Sequence, residues 1–193
     1  MTVRTLTHGD PEQVAAALST SPTPEPERQA DAPAIRTLLA ARAEGRPATV
    51  AESAAAAGPD PGEVAAGLRA WPDVEWDAEG RVTGLGMTLN PTPHQVETGA
   101  HRQHAWCAAD ALGMLPAIGR TVRVSSACPA TGQTVTLPAG PDGVHDVQPP
   151  GAVVSVIITG DPEDIRGSMC NLGHFASPDA ASGWASEHPT ARC

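Results

Sequence analysis

The chain has 193 residues, and its 12 basic residues, all arginine, face 22 acidic ones for a net charge of −10. That length suits one domain, or one with a small appendage, and it can bury a core without disulfides or a structural metal. The acidic balance argues against a general nucleic-acid binder and against docking on anionic lipid, and no stretch approaches the roughly 18–20 apolar residues of a membrane helix.

The opening MTVRTLTHGDPEQ lacks a basic flank followed by an apolar run, so it does not read as a secretory signal and the expected location is cytoplasmic. There Cys107, Cys128, Cys170 and Cys193 are expected as reduced thiols, and without a C-x-x-C pair they form neither a zinc ribbon nor a thioredoxin-type site. Pro11 to Leu18 fits a short helix capped by Asp10, and STSPTPEPERQADAP reads as a flexible acidic linker. Ile35 to Glu44 is predicted helical, with Ile35, Leu38 and Leu39 on one face and Gly45 and Pro47 as stops. Thr49 to Ala57 is a second helix with capping-box spacing between Thr49 and Glu52, and Asp60 caps a third from Pro61 to Ala70. Val74–Trp76, a turn through Gly80, and Val82–Leu89 read as a β-hairpin.

Three short helices and a hairpin make a winged-helix pattern. Its would-be recognition helix, PGEVAAGLRAW, offers one Arg and one Glu, and residues 1–100 carry 7 Arg against 14 acids. A helix that neutralises phosphates needs the opposite balance, so the module reads as a scaffold.

Downstream, His101 to Leu112 is predicted helical, with His104, Cys107, Ala108 and Ala111 on one face. Thr121–Ser126, Thr134–Leu137 and Val153–Thr159 are predicted strands. Asp161-Pro162 starts a helical turn through Arg166, and Ala180–Glu187 is the last helix. The fold class is α+β: an N-terminal winged-helix-like three-helix module plus an antiparallel or mixed β-sheet core with flanking helices. The expected segments are a flexible acidic stretch (1–33), the winged-helix-like module (34–92) and a catalytic domain (93–193).

Chemistry concentrates in few residues. Cys107 and Asp110, three apart on the predicted helix, would touch and share a proton if buried. Alternatively, Cys107 is a small core residue and Asp110 a cap or a solvated acid. Cys170, beside Gly173 and His174, is either an accessible loop thiol or core packing, and His174 either raises the thiolate fraction of Cys170 or is a local hydrogen-bonding group. Cys128 closes a strand ahead of a Pro-Ala-Thr-Gly turn and reads as structural, and Cys193 is a terminal thiol with no defined role. Two thiols and one carboxylate do not suit a zinc hydrolase. They suit a soft ion such as mercury, cuprous copper or a trivalent metalloid.

The ordered segments HAWCAADALGMLPAIGRTVRVSSACPATG and SMCNLGHFASPDAASGWASEHP resemble the organomercurial (alkylmercury) lyase family, with the likeness running from about Arg81 to His188. The resemblance implies protonolysis of a carbon–mercury bond in mercury detoxification. Cys107, Asp110 and Cys170 match the catalytic residues, Cys107 and Cys170 as mercury ligands, and Cys128 matches a structural cysteine. It implies no organic cofactor, Hg(II) bound as product, an organomercurial substrate, and release to low-molecular-weight thiols or a mercuric reductase. No nucleic acid or membrane partner is expected. Trp106, Leu112, Met114 and Phe175 are then apolar lining for the organic group, or simply core. The chain departs from the family pattern in a shorter NLGHFAS segment with one Phe, in ending at Cys193 where members continue, and in its acidic N-terminal stretch. Two other readings are a thiol protein that traps mercury or copper without lyase activity and a thiol-sensing winged-helix regulator.

Overall fold

The computed structural model describes residues 25–57, 60–71, 74–155 and 173–188. Cys170, Cys193, Asp161–Arg166 and the later part of the predicted Val153–Thr159 strand lie outside them.

The helices come first: α1 (Glu25–Ala43), α2 (Val50–Ala57) and α3 (Pro61–Ala70). The last two follow the local signals. Glu52 N donates to Thr49 Oγ1 at 3.1 Å while Thr49 N donates to Glu52 Oε2 at 2.7 Å, the reciprocal bonds of a capping box. Asp60 Oδ1 caps α3 by accepting from the Gly62 amide at 2.6 Å. The first helix departs from the expectation. It begins at Glu25 and continues through Pro33, so residues 25–33, read as linker, are helical.

A β-sheet follows, built from β1 (Glu75–Trp76), β2 (Val82–Leu85), β3 (Met87–Thr88), β4 (His94–Thr98), β5 (His101–Ala105), β6 (Val122–Ala127), β7 (Thr134–Gly140) and β8 (Gly143–Val144). The strands lie in the order β1-β2-β3-β5-β4-β6-β7-β8 and pair antiparallel. A small helix α4 (Ala108–Gly113) and a 3-10 turn (Pro116–Ile118) link β5 to β6. A second, two-stranded sheet joins β9 (Val153–Val154) to β10 (His174–Phe175), and α5 (Pro178–Glu187) follows.

Two expectations are corrected here. The predicted single strand Val82–Leu89 reverses at Gly86, which has φ of +68°, so β2 and β3 pair with Leu85 opposite Met87. The predicted helix His101–Leu112 is a strand to Ala105 and a helix only from Ala108. β5 sits between β3 and β4, and its ladder bonds to both outweigh the helical spacing of its side chains.

Alternation sets the core. Val122 and Val124 of β6 and Val135, Leu137 and Ala139 of β7 point inward with Met87, Val96 and Phe175. A smaller core joins Leu38, Ala41, Ala48, Leu68, Val74 and Val82. α1 is the shared wall: Leu38 and Ala41 face the small core, while Leu39 and Ala43 face the large one. Its Arg42 is buried, and Nη1 donates to Thr83 O at 2.8 Å, tying α1 to β2. The hairpin and its sheet thus continue across the 92/93 boundary drawn from sequence. No described helix is long and apolar enough to cross a membrane.

Candidate active site

Cys107 stands where β5 gives way to α4. Its backbone is extended (φ −143°, ψ 173°), and its sulfur accepts from the Asp110 amide at 3.4 Å as the N-cap of the helix. In return the thiol donates to Asp110 Oδ2 at an S–O distance of 3.1 Å. Sulfur is a weak acceptor, and Ser, Thr, Asp or Asn caps a helix better, so capping alone does not account for a cysteine here. The contact predicted between Cys107 and Asp110 is present. Its cause is the N-cap-to-N3 geometry of a helix start, not two positions on one helical face.

Both groups are shielded from water, Cys107 at 0% and Asp110 at 7% exposure. Burial pushes the Cys107 thiol well above its ordinary range, and the nearby Asp110 charge pushes it further. Burial also raises Asp110, opposed in part by the hydrogen bond from the thiol. The pair therefore retains protons: the thiol stays neutral and the carboxyl is drawn toward its acid form.

Two surrounding features were not singled out in the sequence. Gly86 places its Cα against the carboxyl: a Cβ there would lie 3.2 Å from Asp110 Oδ1 and 2.4 Å from Met114 Cε. Gly86 O also accepts from Trp106 N at 2.8 Å. The legible signal was a glycine inside a strand pattern, which marks close backbone approach. Glu75 is the second. Its Oε1 accepts from the indole Nε1 of Trp106 at 2.9 Å. A carboxylate on a two-residue strand carries no such signal in sequence.

Of the expected lining residues, Trp106 is half-buried and adjoins Cys107, and Met114 lies over Gly86 beside Asp110. Leu112 is half-buried against the main core. Phe175 sits in the core, the second of the two roles expected for it: it is 1% exposed and packs at 5.7 Å between centroids on Trp184 of α5.

Cys128 is buried at the end of β6, as its structural reading required. Burial would raise its thiol, but hydrogen bonds from the Thr131 side chain and the amides of Ala176, Thr131 and Ala130 prevail and lower it. Its backbone closes the turn that follows β6: the amide donates to Gln133 O and the carbonyl accepts from Gly132 N, both at 2.8 Å. His174, on β10, is 2% exposed, and its Nδ1 lies 3.0 Å from Ser126 Oγ, which His94 Nδ1 approaches at 2.9 Å. Burial, then the charge of His94, lowers His174 to about 4, so it is neutral. Among the described residues no group of three or more His, Cys, Asp or Glu is placed to hold a metal.

Residues 87–193 match a family model described as alkylmercury lyase, and residues 13–86 match one described as the helix-turn-helix domain of alkylmercury lyase. An alkylmercury lyase of Streptomyces lividans is 46% identical over 157 residues, covering 81% of this chain and 73% of that protein. One from Staphylococcus epidermidis is 46% identical over 80% of this chain and 72% of its own length, and one from Pseudomonas putida 43% over 79% and 73%. A solved structure, the mercury-bound form of MerB2, superposes with a TM-score of 0.70 at 22% identity, over 92% of this chain and 86% of that one. At that identity the likeness bears on the fold alone.

Proposed function

The chain belongs to the alkylmercury lyase family, and from that membership we propose that Cys107, Asp110 and Cys170 form its reacting centre. The activity is cleavage of a carbon–mercury bond, giving a hydrocarbon and Hg(II). The observation that carries the residue assignment is the buried thiol–carboxyl contact of 3.1 Å between Cys107 and Asp110.

Mercury is soft and prefers thiolate to carboxylate, amine or water. One cysteine thiolate displaces the counter-ion of R–Hg⁺, and its proton leaves with that ion. A second thiolate then adds to mercury and weakens the Hg–C bond. Asp110 accepts the proton of the second thiol and delivers it to carbon as the Hg–C pair departs with carbanion character. The sum is R–Hg⁺ plus two thiols giving R–H, a dithiolate-bound Hg²⁺ and one proton. Burial favours this path, because a poorly solvated carboxyl that readily takes the proton also passes it on. The chemistry requires no organic cofactor.

Cys170 enters by its match to the family pattern. Three residues after it, Gly173 is anchored: its amide donates to Ser155 Oγ at 3.0 Å, and its carbonyl accepts from Ser155 N at 3.0 Å. Residues 93–193 carry the chemistry, residues 34–92 serve as scaffold, and the product ion passes in the cytoplasm to two solution thiols or to a mercuric reductase.

The test is incubation of the reduced protein with phenylmercury and excess thiol, with benzene measured for wild type, Cys107→Ser, Cys170→Ser and Asp110→Ala. All three variants should lose turnover, Asp110→Ala by about 10²-fold or more. Benzene release from Cys170→Ser at the wild-type rate would refute the two-thiolate mechanism.

A further inference from the structure

We propose that Glu75, from the hairpin of the helix-turn-helix region, is a positioning residue for the reacting thiol: its carboxylate holds the Trp106 indole and thereby fixes the backbone from which Cys107 projects. The inference rests on the reading of Cys107 as the reacting thiol.

Trp106 is one peptide bond from Cys107, directly after the end of β5, and two hydrogen bonds hold it there. Its amide donates to Gly86 O at 2.8 Å, and its indole Nε1 donates to Glu75 Oε1 at 2.9 Å. Glu75 is itself held. Its Oε2 accepts from Asn90 Nδ2 at 2.8 Å and from Thr88 Oγ1. A carboxylate engaged by several donors on both oxygens is a stiff anchor, because charge-assisted bonds are short and strong. Thr88 is fully buried on β3, which pairs directly with β5 through Met87–Ala105 and Thr88–His104. Glu75, Thr88 and Trp106 therefore form a bracket around the end of β5, where Cys107 emerges. Glu75 lies within residues 13–86 and Cys107 within 87–193, so one region supplies a support for the other's chemistry.

A Glu75 that served only the edge hairpin would affect stability and leave the chemical step alone. A positioning Glu75 acts on kcat through the indole. An error of about 1 Å in a reacting group can cost 10²-fold. Glu75→Leu should lower kcat for phenylmercury at least tenfold with KM within threefold of wild type. Glu75→Gln, which keeps an acceptor for the indole, should restore at least a third of wild-type kcat. Trp106→Phe should lose a similar factor, and the double variant Glu75→Leu/Trp106→Phe should be no slower than the slower single variant, because both act through one bond.

Multiplicative losses in the double variant, or a Glu75→Leu enzyme with wild-type kcat, would overturn the proposal. If Glu75→Leu does not fold, Trp106→Phe decides, because it removes the indole donor while keeping an aromatic ring: kcat within twofold of wild type overturns the proposal. Cys107→Ser in the same assay separates the two claims. Turnover by Cys107→Ser defeats the reacting-centre reading, whereas an inactive Cys107→Ser beside a fully active Glu75→Leu defeats only the role of Glu75.

Discussion

Replacing Gly86 by alanine tests whether the turn between β2 and β3 shapes the site. Two costs follow from the geometry. The residue has φ of +68°, a left-handed conformation that costs a side-chain-bearing residue about 1–2 kcal/mol. The added methyl would also lie 2.4 Å from Met114 Cε and 3.2 Å from Asp110 Oδ1. Overpacking costs about 1–3 kcal/mol, and the lower part of that range applies because Met114 Cε is the far end of a flexible side chain. The sum is about 2–4 kcal/mol, which for a chain of this size lowers the melting temperature by on the order of 5–12 °C.

Thermal and urea denaturation of Gly86→Ala, Met114→Ala and the double variant measure this directly. The double variant should be more stable than the sum of the singles by about 1 kcal/mol, because shortening Met114 relieves the clash but leaves the backbone cost. Benzene release by folded Gly86→Ala should fall at least tenfold, since Asp110 is the neighbour that cannot yield without leaving the Cys107 thiol. A Gly86→Ala protein that melts within 2 °C of wild type, or that releases benzene at the wild-type rate, would refute the reasoning.

Two further outcomes concern pH. Asp110 is raised from 3.8, chiefly by burial, so the stability it contributes is complete below that value and is lost as pH rises through its folded value. Asp110→Asn, which mimics the acid form permanently, should gain on wild type as pH increases from about 4 to 8; a constant gap in urea stability across that range would contradict the burial argument. His174 is lowered from 6.5 to about 4, so its contribution has the opposite sign: it is present above 6.5 and is lost as pH falls toward 4. The loss amounts to about 3 kcal/mol, and His174→Gln should flatten the stability curve over that interval. An equally steep acid decline in the variant would place the cause elsewhere.

Sequence alone determined the features whose physics is local. The capping box at Thr49 and Glu52, the Asp60 cap and the alternation of β6 and β7 each satisfy their own backbone or bury their own face with nearby residues. The Cys107–Asp110 contact was also legible, since three residues bring the two groups together in the first turn of a helix. What the tertiary structure decided is non-local. His101–Ala105 is a strand because β3 and β4 supply its partners from both sides, and no periodicity within those residues encodes that. Gly86 meets Asp110, and Glu75 meets Trp106, only after the sheet has assembled. Hydrogen bonds and close approaches between residues 24 or 31 positions apart depend on where the chain returns, which side-chain spacing along one segment does not record.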